Sequence, residues 1–172
     1  MTGDAAQLYE EDFVRWTEEQ AAALRDAACR GINLPLDWEN LAEEIDSLGR
    51  AQRRELRSRI ATIIEHLIKL ECSPVTDPRQ GWIDTITRER MNIEDLLDDS
   101  PSLRSEVARM IARETPRVRK LVTRSLHGDG QMSRETTNRI KNASYTEEQV
   151  LGDWFPGDVS APLPLPAGRE RE

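Results

Sequence analysis

The sequence predicts an all-α protein, a compact bundle of about four main helices, one of them long, followed by short C-terminal helices. Three observations carry that prediction. Apolar residues recur at steps of three and four along most of the chain, which is the helical period. No segment alternates with the period of two that a half-buried strand shows. Hydrophobic residues make up 37% of the 172 residues and charged residues 33%, a balance that suits a heavily charged helical protein better than a β-sandwich.

The first helix is read from Tyr9, Phe13, Trp16, Gln20, Leu24 and Ala27, which share one face. Gly31 and the INLPL segment end it, and Pro35 disfavours helix at Leu34. Asp37 is the expected N-cap of the second helix. Its apolar row is Leu41, Ile45, Leu48, Gln52, Leu56, Ile60, Ile63, Leu67 and Leu70. A helix reaching Cys72 would be roughly 54 Å long at 1.5 Å per residue, so Gly49 is expected to bend or break it. Beyond Ile60 the stripe widens to include Ile64 and Ile68, which places that half in the core.

Two prolines and a glycine make SPVTDPRQG a loop. A third helix follows on Trp82, Ile83, Ile86, Ile93, Leu96 and Leu97, with Arg90 near the same row. Ser100-Pro101 is a helix start, serine as N-cap and proline at the first position. The fourth helix carries Leu103, Val107, Ile111, Val118, Leu121, Val122 and Leu126, and Pro116 on its outer face is expected to kink or divide it. HGDG stops it. SRETTNRIKNAS fits either a short helix or an irregular connection. Thr146 and Gln149 form a capping-box pattern for a last short helix, with Trp154 and Phe155 docking behind it. The expected organisation is one helical domain over residues 1–156 and a flexible, proline-rich, charged tail over 157–172.

The net charge of −8 is unevenly distributed. Residues 1–46 hold twelve acidic and three basic side chains, 47–70 two acidic and six basic, and 102–127 two acidic and seven basic. Acidic and basic helices lying side by side account for this; a local nucleic-acid face on Arg50, Arg53, Arg54 and Arg57, or on the 104–124 helix, is the sharper alternative. The overall acidity argues against general nucleic-acid binding. No stretch is apolar and long enough for a membrane span, and the acidic N-terminus has no signal-peptide pattern. With Cys29 and Cys72 far apart and read as reduced thiols, the expected location is cytoplasmic.

Little in the sequence suggests catalysis. A carboxylate-bridged di-metal bundle commonly uses Glu-x-x-His on two helices. The residues three before His66 and His127 are Ile63 and Arg124, so the pattern is absent. Phosphate-binding, nucleophile-elbow and dinucleotide patterns are absent too. His66 reads as a partly buried structural imidazole, and His127 as a cation suited to a helix C-terminus. The enzymatic alternative is a metal-dependent or acid/base site made of Glu39, Glu43 and Glu44 with His66. Against it, a like-charged i, i+4 pair costs only about 0.2–0.5 kcal/mol. An acidic residue in the first helical turn returns about 0.3–1 kcal/mol. The acidic cluster therefore needs no ligand.

The segments LYEEDFVRWTEEQAAALR (8–25), LDWENLAEEIDSLGRAQRRELRSRI (36–60), WIDTITRERMNIEDLLDDSPSLR (82–104) and YTEEQVLGDWFPG (145–157) together resemble a bacterial family, the domain of unknown function 29, common in cyanobacteria and proteobacteria. The departures are Pro116 inside the fourth helix and Ser144, where a proline often precedes the Tyr-Thr pair. The resemblance implies a compact all-helical fold and transfers no activity, cofactor or site residue. The expected function is therefore a non-enzymatic protein-interaction or regulatory module, with no cofactor or metal, another protein as partner, and a homodimer as an open alternative.

Overall fold

The computed structural model describes residues 2–32, 34–74, 78–128 and 133–157. The described elements are α1 (Thr2–Glu11), α2 (Phe13–Cys29), α3 (Trp38–Cys72), α4 (Arg79–Asp99), a 3-10 helix (Pro101–Glu106), α5 (Val107–Gly128), α6 (Arg134–Asn142) and α7 (Glu147–Leu151). No strand occurs among the described residues, and none of their helices is long and apolar enough to cross a membrane.

α3 is the element on which the others are assembled. Asp37 caps it as the sequence predicts, accepting the Asn40 amide N–H at 3.3 Å and the Asn40 side-chain amide at 2.6 Å. The helix then runs 35 residues without a break. The break allowed for at Gly49 does not occur. Gly49 is buried against α2, and a Cβ there would lie 2.4 Å from Thr17 Oγ1. The glycine is needed for close helix approach rather than for flexibility.

The C-terminal half of α3 forms the core, with Leu56, Ile60, Ile63, Ile64, Leu67 and Ile68 fully buried. Ile86, Ile93 and Leu97 of α4 and Val107, Ile111, Val118 and Val122 of α5 close around them, and Ile140 of α6 and Val150 of α7 complete the cluster. The N-terminal half departs from the predicted row. Ala42 and Gly49 are buried there, while Leu41 and Leu48 are 40% and 45% exposed. α2 seats on the small residues because they let two backbones approach, and the leucines beside them are left outside.

The predicted first helix is two helices, parted at Asp12. That residue has an extended backbone (φ −159°, ψ 91°) and caps α2 by accepting the Arg15 N–H at 3.0 Å. The buried face of α2 is Val14, Thr17 and Ala21, so the aromatic stripe lies to one side of the core rather than in it. Gly31, at φ +65°, supplies the left-handed turn that ends the segment.

Asp12 and Ser100 also cap each other's helices. Ser100 was expected to cap its own helix; instead its Oγ accepts the Val14 N–H at 3.3 Å, in the first turn of α2. Asp12 accepts the Ser102 N–H and hydroxyl at 2.8 and 2.9 Å, in the first turn of the 3-10 helix. Both capping residues are buried, and two helix starts are joined by their own orphan donors.

Pro116 is exposed, and α5 continues through it undivided. Proline costs the helix one donor there, on its exposed side. Residues 134–142 form a helix capped by Ser133, and the Thr146–Gln149 capping box is complete, with bonds of 3.0 and 3.3 Å. Arg90 does not serve the apolar row. It donates to the carbonyls of Gln149, Val150 and Trp154 at 2.7–2.9 Å and lies 4.8 Å over the Phe155 ring, clamping the C-terminal segment onto α4. The expected tail, apart from Gly157, lies outside the described residues.

Candidate functional site

The acidic cluster and His66 are not brought into one site. Glu39, Glu43 and Glu44 are exposed on the first two turns of α3, and Glu43 pairs with Arg50. His66 lies 22 residues beyond Glu44 on the same unbroken helix, a separation of roughly 33 Å at 1.5 Å per residue. Among the described residues no group of three or more His, Cys, Asp or Glu side chains is placed to hold a metal. Burial first, and the Lys69 ammonium second, push the His66 pKa below its ordinary value, so the imidazole is held neutral. Its Nδ1 is buried without a hydrogen-bond partner. Cys29 and Cys72 are free thiols, and burial raises Cys72 to about 11.

Two surfaces do assemble, on opposite sides of α3. Successive residues turn by about 100° round a helix, so Arg57, nine residues after Leu48, points the other way. On the arginine side, α3 and α5 enclose a groove of about 450 Å³ lined by Arg50, Arg53, Arg54, Arg57, Arg109 and Arg113. The α3 arginines and the 104–124 helix were separate alternatives in the sequence; helix packing makes them one surface. Glu114, 4% exposed, anchors its edge. Arg117 Nη1 donates to both its carboxylate oxygens at 3.1 and 3.0 Å, and Arg57 and Arg113 stand at 3.8 and 3.9 Å. Arg53 bridges Glu18 and Glu106 at 2.5 and 2.8 Å, tying α2, α3 and the 3-10 helix together.

On the leucine side, α2 and α3 leave an apolar face open. The ion pairs Arg25–Asp46 and Glu18–Arg53 bridge one flank of the pair. By helical rotation Phe13, Trp16, Leu41 and Leu48 fall on the other flank. Tyr9 meets Phe13 and Trp16 edge-on, at ring-centroid distances of 5.6 and 4.9 Å, and is 47% exposed. Phe13 and Trp16 stack at 5.8 Å. Glu44, three residues after Leu41 and four before Leu48, shares their side and has no ion pair among the described residues. The shared face of Tyr9, Phe13 and Trp16 carries the sequence signal for this surface, and the structure leaves it at the protein's exterior.

No curated protein matches the chain. A solved structure that it resembles is the crystal structure of an alpha-helical protein of unknown function from Rhodospirillum rubrum ATCC 11170. The two share 22% identity over 84% of this chain and 89% of that one, with a TM-score of 0.67, and the likeness shows a common fold. The profile of one family, described as Domain of unknown function DUF29, matches residues 8–155. That span holds the core of α3, α4 and α5, the joined helix starts at Asp12 and Ser100, and the Arg90 clamp, and the chain belongs to this DUF29 family.

Proposed function

We propose that the protein is a non-enzymatic interaction module that takes a helical segment of another protein on the open face of α2 and α3. The observation that carries this reading is that flank: Leu41 and Leu48 are exposed on α3, and on α2 Phe13 and Trp16 are braced against the exposed Tyr9. Large apolar side chains gathered on one surface mark interaction sites, whereas single exposed leucines do not. Rigid aromatic groups are the usual anchors of such sites.

The occupant we propose is a basic amphipathic helix. Glu44 lies within the face, and residues 1–46 hold twelve acidic against three basic side chains. A second copy docking through the same face would set this acidic segment against itself, whereas a basic helix meets a complementary field. The free thiols of Cys29 and Cys72 support a reducing, cytoplasmic location. Residues 1–156 acting as one unit, with 157–172 as an appended tail, completes the reading.

A photo-crosslinking residue at Leu48, compared in living cells with one at Lys120, tests the proposal. The expected result is an adduct at Leu48 alone, mapped by mass spectrometry to a basic amphipathic segment of one protein and lost in the Tyr9→Glu/Leu41→Glu variant. A self-adduct accompanied by a dimer in light scattering would give the face to a second copy and overturn the proposal. So would the absence of any adduct.

A further inference from the structure

The arginine groove holds more cation than the fold requires. Six guanidiniums line it, those of Arg50, Arg53, Arg54, Arg57, Arg109 and Arg113, and Arg117 joins them at Glu114; these seven meet four carboxylates, Glu18, Glu43, Glu106 and Glu114. Seven against four leaves three positive charges. The carboxylates are shared, Glu106 between Arg53 and Arg109, and Glu114 among Arg57, Arg113 and Arg117. Arg54 has no ion pair among the described residues. Like charges also recur at i, i+4, in Arg50/Arg54, Arg53/Arg57, Arg109/Arg113 and Arg113/Arg117, an arrangement that repels. A seam built for cohesion alone would match its charges or be apolar.

The layout suits a repeating anion. Arg50 and Arg54 on α3, and Arg109, Arg113 and Arg117 on α5, recur about every 6 Å along their helices. Guanidinium forks bind phosphate oxygens in pairs, which an ammonium does not. No aromatic ring lines the groove, so it has no platform on which an unpaired base would stack. The acidic segment 1–46 repels a polyanion elsewhere and confines contact to the groove. We infer that this groove binds the phosphodiester backbone of a nucleic-acid duplex, without reading its bases. The inference is independent of the apolar face, which lies on the other side of α3.

Fluorescence anisotropy of the full chain with short labelled DNA and RNA duplexes of the same mixed sequence tests it. Binding of either duplex at low salt supports the inference and says which backbone fits. The log–log salt dependence should steepen by about 0.9 per phosphate contacted. The Arg54→Glu/Arg113→Glu variant changes two exposed side chains with no close hydrogen bond. It should keep its thermal melt, lose about two units of that slope and bind roughly tenfold more weakly or worse. Arg30→Glu, at the C-cap of α2 twelve residues beyond Glu18 and outside the groove lining, should bind as the parent does. No binding to either duplex at low salt, a variant that binds unchanged, a preference for single strands, or equal competition by poly-glutamate would each overturn the inference.

Discussion

α3 is one continuous helix whose two halves do different work. From Leu56 to Cys72 it is surrounded, with branched residues on several sides buried against α4 and α5. From Trp38 to Arg54 it buries Ala42 and Gly49, the latter against α2, and shows leucines on one side and arginines on the other. The difference teaches that a stripe of large apolar residues does not by itself mark the inside. Where two helices approach closely, small residues set the distance between them, and large ones beside them can stay exposed.

The largest loss is expected at Ile64. Its truncation to Ala leaves a cavity in the surrounded half and should cost about 2–5 kcal/mol, read by urea denaturation. The opposite kind of change tests the arm. Gly49→Ala drives a methyl into Thr17 Oγ1, which already donates to the Val14 carbonyl, and should cost about 1–3 kcal/mol by overpacking. Thr17→Ala in the same chain removes the obstacle and should restore most of that loss; a double variant no better than Gly49→Ala would refute close approach as the glycine's role. Asp12→Ala removes caps from two helix starts, and the expected loss is near 2 kcal/mol. A loss of only a few tenths would show that the two starts are independent.

Two titrations sharpen the same contrast, because both groups lie in the surrounded half. The folded His66 resists protonation while the unfolded chain takes up the proton near pH 6.5. Stability should therefore fall as pH drops below about 6.5, and His66→Gln should flatten that limb in pH-dependent melts. Cys72 acts at the other end. Its thiol ionises near 9 in the unfolded chain and at about 11 when folded, so stability should decline between those values and Cys72→Ala should lessen the decline. The smallest effect belongs to the arm's outer side. Leu48→Ser should change stability by about 0.5 kcal/mol or less, although it continues the row that holds Leu56 and Ile60.

Local chemistry was legible wherever a few neighbouring residues decide the outcome. Asp37, Gly31 and the Thr146–Gln149 pair act where the sequence places them, because a cap is completed within one turn. Ser100 was recognisable as a capping residue, but its target was not, since the donor it satisfies lies 86 residues away. The stop at Asp12 was hidden by an apolar stripe that continues in register across it. The basic faces of α3 and α5 were each visible; their union was not, because nothing in a helical period says which helices become neighbours. His66 and the glutamates illustrate the converse. Residue types that suggest chemistry lost that meaning once one unbroken helix held them apart.

The paired caps at Asp12 and Ser100 also bear on the order in which the protein is made. α2 and α3 are close in the chain and can pair early, but the Val14 N–H in the first turn of α2 waits for Ser100, and the free capacity of the Asp12 carboxylate waits for Ser102. During vectorial synthesis the N-terminal arm therefore leaves the ribosome unfinished. Its last hydrogen bonds wait for the segment beyond α4, at sequence separations of 86 and 90 residues, and such long-range closures are the slow ones. A nascent chain stalled before residue 100 should hold helix in α2 but leave its start frayed and open to protease. That start becomes resistant once translation passes the serines that complete it.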